Sequence, residues 1–206
     1  MHILLLGATG RVGSHILNYS LKDGHSVTAL VRDSGKIQIE DERLNVIEGN
    51  VINAPDLLQA VHGVDMVISA LGTDQSTTLT DVAPLIINAM NKEGIKRIIT
   101  VGTAGILNSR TQPDILRYQS GESKRKLTRA AEEHENFYRS LDDSSLDWTI
   151  VCPTYLPDEP PVGHYRTERE YLPENGTKIS VQDTASFVYS LAGSDEYIKT
   201  RVGISY

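Results

Sequence analysis

Gly7, Gly10 and Gly13 recur at every third position of Gly7-Ala8-Thr9-Gly10-Arg11-Val12-Gly13, directly after the apolar run of residues 2–6. Glycines at that spacing have distinct tasks between a strand and a helix. The first permits a tight turn, the second lets the backbone approach a pyrophosphate with no Cβ in the way, and the third lets the helix pack closely on the strand. The helix start then turns unpaired N–H groups and the positive end of its dipole toward the anion. Residues 11–22 carry helical spacing and residues 26–31 read as a second strand, which is the context that separates a dinucleotide loop from a chance run of glycines. Gly7, Thr9, Gly10, Arg11, Val12 and Gly13 are therefore the expected phosphate-holding residues.

The next diagnostic position is the end of the second strand, where a carboxylate would favour NAD and a cation the 2′-phosphate of NADP. Here the chain reads Val31-Arg32-Asp33, with Lys36 close behind. Arg32, assisted by Lys36, points to NADPH, with Asp33 as a competing carboxylate. Further strand ends offer Asn50, whose amide suits an adenine edge, Val51, and the small-residue run Ala70-Leu71-Gly72-Thr73. Gly102-Thr103-Ala104-Gly105 would lie nearest the nicotinamide. Small residues after strands are also ordinary turn chemistry, and that reading stays open for Thr103.

These positions need a parallel sheet to align them. Apolar runs at residues 2–6, 26–31, 44–48, 65–69, 96–101 and 148–152 alternate with amphipathic segments at 11–22, 55–62, 81–92, 121–141 and 181–191. Such alternation implies an α/β Rossmann fold: a doubly wound, mostly parallel sheet in one domain spanning residues 1–206. Residues 201–205 are expected to form an edge strand, and residues 153–161, with four prolines, an irregular loop. The charged run Lys124, Arg125, Lys126, Arg129, Glu132, Glu133 and Glu135 is expected on a solvated helix face.

Composition narrows the function classes. The chain has 206 residues, 39% hydrophobic and 23% charged, the profile of an ordinary globule. A formal net charge of -7 argues against a general grip on nucleic acid or on an anionic membrane surface. A single cysteine, Cys152, allows no internal disulfide and is expected in the core, and the opening apolar run is too short for a signal or a span, so a cytoplasmic location is expected.

Several chemistries lack their residues. None of the nine tyrosines has lysine at the fourth following position, the pair that lowers a tyrosine's pKa for alcohol dehydrogenation or epimerisation; Tyr165 and Tyr197 have arginine there. The six histidines show no metal-ligand spacing, and no Gly-x-Ser-x-Gly elbow is present. Hydride transfer from a nicotinamide to a flavin, quinone or tetrapyrrole-like acceptor needs none of these, because cofactor and acceptor carry the chemistry. His164 and Arg166 are candidates for the rim of an acceptor pocket. An S-adenosylmethionine site would want a carboxylate where Arg32 stands.

The glycine loop, Leu30-Val31-Arg32-Asp33, Leu71-Gly72-Thr73, Asp147-Trp148-Thr149-Ile150-Val151-Cys152-Pro153, Ile179-Ser180-Val181-Gln182-Asp183 and Asp195-Glu196-Tyr197 together resemble the atypical short-chain dehydrogenases of the NAD(P)H-binding, NmrA-like group. Within it the chain is most similar to the biliverdin-IXβ reductase/flavin reductase branch. The resemblance implies NADPH-dependent reduction of flavins by a monomer with an open acceptor pocket, and adds Pro153 to the cofactor-binding residues. Thr103 falls where the family has a pocket serine, and Tyr155 where its best-known members have a pocket histidine; these two are the candidate catalytic residues. Tyr155 reads equally as loop packing. Other NmrA-like members sense the dinucleotide without turnover, which is the alternative function.

Overall fold

The strand His2–Leu6 (β1) sends alternate side chains to opposite faces: Leu4 and Leu6 enter one core, Ile3 and Leu5 another. A strand apolar on both faces must be covered by helices on both faces. In the computed structural model, which describes residues 1–73, 76–123 and 127–206, that requirement organises the chain. Ser26–Val31 (β2), Leu44–Glu48 (β3), Met66–Ser69 (β4), Arg97–Val101 (β5), Asp147–Pro153 (β6), Arg166–Arg169 (β7) and Thr200–Ser205 (β8) complete one sheet in the order β3-β2-β1-β4-β5-β6-β8-β7. The pairings are parallel except that of β7 with β8.

Helices Arg11–Lys22 (α1) and Val181–Ser190 (α5) fill one face through Ile16, Leu17, Ala185 and Val188. Ala54–Val61 (α2), Thr78–Glu93 (α3) and Arg129–Asp142 (α4) fill the other through Leu57, Val82, Ile86 and Phe137. The chain is thus an α/β protein with a doubly wound, mostly parallel sheet. Strand order reverses between β1 and β4, so the crevice for a ligand opens beyond their carboxyl ends. Among the described residues no helix is long and apolar enough to cross a membrane.

Four expectations need correction. The last strand, β8, is not at the edge: it lies between β6 and β7. The edge is β7, four polar residues with no apolar signal, held by main-chain pairing to β8 and charged as solvent-facing edges tend to be. The third long helix begins at Thr78, three residues early, where Thr77 Oγ1 donates to Asp81 (2.7 Å). The helix expected over residues 121–141 begins only at Arg129. Ahead of it, the Glu122 carboxylate accepts from Ser109 and Thr111, which holds that segment in a turn.

Of the α4 charges, Arg129 and Glu132 are exposed as expected, but Glu133 and Glu135 are not on a solvated face. Glu133 is buried and accepts from Thr80 N (3.1 Å) and Oγ1 (3.0 Å), bracing the start of α3. Buried Glu135 accepts from Tyr118 and pairs with Arg139. Each carboxylate is tolerated inside because donors meet it. Lys124, Arg125 and Lys126 lie outside the described residues.

Candidate functional site

Gly7 follows β1 with φ +80°, in the left-handed region, and a Cβ there would meet the Ala70 carbonyl oxygen at 2.5 Å. The loop is thereby pressed onto the end of β4, where Ala70, Leu71, Gly72 and Thr73 lead away. Gly10 N donates to Gly7 O (2.9 Å) and starts α1; no side chain caps that helix and no acid stands in its first turn. An uncapped, acid-free helix start behind a glycine turn fits a pyrophosphate, whose oxygens would take the first-turn amides. Val12 and Val51 pack into the two cores, so any part they play at a ligand is chiefly through the main chain.

Arg32 leaves the end of β2 exposed to solvent. Its competitor Asp33 is engaged locally, accepting from Gly35 N (3.0 Å) to cap the short turn Ser34–Lys36. Glu48, at the end of β3, accepts from Ser34 N (3.1 Å) and Oγ (2.5 Å) and fixes the same turn. The second strand end therefore presents Arg32 and Lys36 while both nearby carboxylates serve the backbone. Asn50 Oδ1 accepts from Ile52 N (3.2 Å), and the Asn50 main-chain N–H donates to Asp56 Oδ2 (2.8 Å), a brace that sequence reasoning missed.

Beyond β5 and β6 a cavity of about 270 Å³ opens, with Thr103, Pro153 and Tyr155 in its wall. Thr103 follows β5 half-buried, and its Oγ1 also accepts from Gly105 N (3.4 Å), so it caps its own turn while facing the cavity. Tyr155 is 60% exposed, an unusual state for a large ring and one that leaves its face open to a ligand. The loop behind it is anchored by buried Asp183, which accepts from Val162 N (2.8 Å), Gly163 N (3.2 Å), Ser180 Oγ (3.1 Å) and Tyr206 Oη (2.5 Å). Arg11 reaches from the glycine loop to the same segment, donating to Asp158 Oδ1 (3.0 Å) and to the Leu156 carbonyl. The guanidinium thus ties the two candidate half-sites together.

A family model described as NAD(P)H-binding matches residues 7–195, from the first glycine of the loop to the turn before β8. The chain belongs to the NAD(P)H-binding family. Solved structures agree with that placement. A Bacteroides thetaiotaomicron protein provisionally named an epimerase is 30% identical, with a TM-score of 0.86, over 100% of this chain and 96% of its own. A Streptococcus pneumoniae protein provisionally named an NADH-flavin reductase is 26% identical, with a TM-score of 0.80, over 100% and 99%. A short-chain dehydrogenase/reductase from Veillonella parvula, solved with NADP, shares the fold at 23% identity and a TM-score of 0.83, over 100% and 94%.

In this NAD(P)H-binding protein the far cavity wall comes from residues that sequence reasoning missed: Arg117, Tyr118 and Glu122. They lie in an irregular stretch with one short turn, Arg117–Gln119, and no periodicity betrays them. Tyr118 Oη donates to Glu135 (2.5 Å). Burial raises the Tyr118 pKa and the carboxylate raises it further, so the phenol stays protonated. Cys152 sits in the core beneath, its thiol pushed well up by burial and unreactive. Arg166 does not rim the cavity; on β7 it donates to the carbonyls of Glu174 (2.7 Å) and Tyr206 (2.7 Å). His164 is not in the cavity wall either.

Glu122 carries a pH prediction. Burial works against its charge, but donors from Ser109 (2.6 Å) and Thr111 (2.9 and 3.0 Å) win and bring the carboxyl down to about 2. A folded pKa below the unfolded one stabilises the fold above the unfolded value, and this is lost as pH falls toward the folded value. After discounting for partial exposure, the contribution near neutrality is about 2 kcal/mol. Glu122→Gln is expected to lower urea-unfolding stability by that amount near neutral pH, with the gap to the parent closing as pH drops toward about 3. A gap independent of pH would show that the ionised carboxylate is not the source.

Proposed function

We propose that this chain is an NADPH-dependent reductase that passes hydride to a planar acceptor, a flavin, quinone or tetrapyrrole-like molecule, seated between Thr103 and Tyr155. The observation that carries this is the cavity at the ends of β5 and β6, whose wall holds the exposed Tyr155 ring and the Thr103 hydroxyl and runs on into the segment that Arg11 ties to the glycine loop. When bound, the nicotinamide supplies the hydride. The protein's own residues bind and orient: the glycine loop takes the pyrophosphate, Arg32 and Lys36 the 2′-phosphate, and the Tyr155 ring stacks on the acceptor. The acceptor's proton comes from solvent.

The cavity's second tyrosine supports this reading over epimerisation or alcohol oxidation. Those reactions want a tyrosine whose pKa is lowered by a cation, whereas Tyr118 is paired with a carboxylate that raises it.

The test is oxidation of NADPH, followed by nicotinamide absorbance, with flavin mononucleotide, riboflavin or a small quinone present or absent. Acceptor-dependent oxidation, faster with NADPH than NADH, is expected. Tight binding with no turnover on any of these acceptors would move the chain to the sensing class. Arg32→Ala is expected to weaken NADPH by about 2 kcal/mol, roughly thirtyfold, and NADH far less, because it removes a charge-assisted contact to the 2′-phosphate. Equal losses for both cofactors would refute the assignment.

A further inference from the structure

The acceptor cavity does not end at its far wall. Arg117, Glu122, Gly176 and Thr177 also line a second cavity, of about 320 Å³, which continues past them to Arg110. The two spaces form one groove: a head pocket between Thr103 and Tyr155, and a tail pocket lined by the two guanidiniums of Arg110 and Arg117 and by the acids Glu122 and Glu174.

Those guanidiniums differ in how well they are satisfied. Arg110 donates to Glu168 (2.5 Å) and to the Leu172 carbonyl (3.1 Å), and lies over the Tyr171 ring at 5.0 Å. Arg117, at the junction, has less. Among the described residues its guanidinium makes one long hydrogen bond, to the Glu122 carbonyl (3.3 Å), with the Glu122 carboxylate at 3.7 Å. Three donors from Ser109 and Thr111 hold that carboxylate by its Oε1, while the oxygen turned to Arg117 is Oε2, beyond hydrogen-bond reach. Arg117 is only 21% exposed, so it is largely withdrawn from water with most of its five N–H donors unspent. Desolvation accordingly outweighs Glu122 at this arginine. A desolvated, under-satisfied guanidinium in the wall of an open cavity is a receptor for an anion, and a second guanidinium further along gives the anion a place beyond the junction.

We propose that the acceptor carries an anionic tail, a phosphate or carboxylate on a short chain, which leaves the planar head at Arg117 and lies in the groove between Arg117 and Arg110. The inference rests on the reductase reading and narrows its acceptor class.

Flavin mononucleotide and riboflavin share a head and differ by one phosphate, which makes them the probes. In steady-state assays with NADPH, kcat/KM for flavin mononucleotide is expected to exceed that for riboflavin at least tenfold, through KM. The ratio should fall toward one in Arg117→Gln, in Arg110→Gln and in high salt, and recover in part in Arg110→Lys. Lumiflavin, which has neither tail nor phosphate, should follow riboflavin. A ratio near one in the parent, or one unmoved by both Gln variants, would overturn the tail site while leaving the reductase reading intact. Should no flavin turn over, the reductase reading is decided by the quinone assay, and quenching of flavin fluorescence on binding to the NADP-loaded protein decides the tail site: equal affinity for the two flavins overturns it. Arg110 is the more exposed of the pair, so Arg110→Gln keeps the test open if Arg117→Gln does not fold.

Discussion

Gly13→Ala is expected to cost about 3 kcal/mol or more of stability and to abolish measurable dinucleotide binding, although the substitution adds one methyl group. Gly13 lies in the first turn of α1, where alanine would ordinarily raise helix propensity. The obstacle is tertiary. A Cβ at Gly13 would stand 2.0 Å from the Gly7 carbonyl oxygen, 2.8 Å from its carbon and 3.2 Å from the Ala8 Cα, all of them main chain. None can turn aside as a side chain would, so either α1 lifts from β1 or the loop unwinds. Both movements displace the amides that are to meet the pyrophosphate. Gly10→Ala is the control: its nearest atom is the Gly7 carbonyl oxygen at 3.2 Å, so the fold should absorb it. Urea midpoints with a constant slope, read beside NADPH titrations, separate the cases. A Gly13→Ala protein as stable as the parent would show that helix and strand can part here at little cost.

The ease of reading that loop, against the difficulty of reading the opposite cavity wall, has a physical cause. The loop's requirements are local: three glycines, a buried strand before and a helix after all stand within about two dozen residues. The six parallel strands that begin at residues 2 to 147 were legible for the same reason, as apolar runs between turn residues. The cavity wall is set at long range. Arg117, Tyr118 and Glu122 take their positions from Ser109, Thr111 and Glu135, with no repeat to announce them. The strand β7 has no apolar residue and exists because β8 offers it an edge. Glu133 and Glu135 look solvated because charge is the only local signal, and their partners Thr80 and Tyr118 come from other parts of the chain. Thr103, from a strand end, and Pro153 and Tyr155, from the family resemblance, lie in the wall of one cavity.

Arg201 is a long-range anchor of the cavity floor. It looked unremarkable in sequence, noted only for following Tyr197 by four positions. In the structure it is 5% exposed on β8, with its guanidinium donating to Glu170, to the Ile106 carbonyl and to Asn108 Oδ1 (2.8 Å). The Tyr138 ring covers it at 4.3 Å. Ile106 closes the turn that Thr103 opens, so Arg201 is a positioning residue for the cavity floor. Removing the guanidinium leaves the Glu170 carboxylate, whose side chain is 32% exposed, with the main-chain N–H of residue 201 and strands the Ile106 carbonyl, which together cost about 2–3 kcal/mol. Arg201→Met is expected to lose that much in urea unfolding and to raise the acceptor KM more than it lowers kcat. Glu170 sits at φ +63°, so its replacement must tolerate that backbone. Glu170→Gln meets the need without charge, and the double variant Arg201→Met/Glu170→Gln should be more stable than Arg201→Met alone by about 1 kcal/mol, since no half-buried carboxylate is left without its cation. Strictly additive losses would mean that the two groups do not depend on each other, and the anchoring of Ile106 would then have to come from packing, not from the charge.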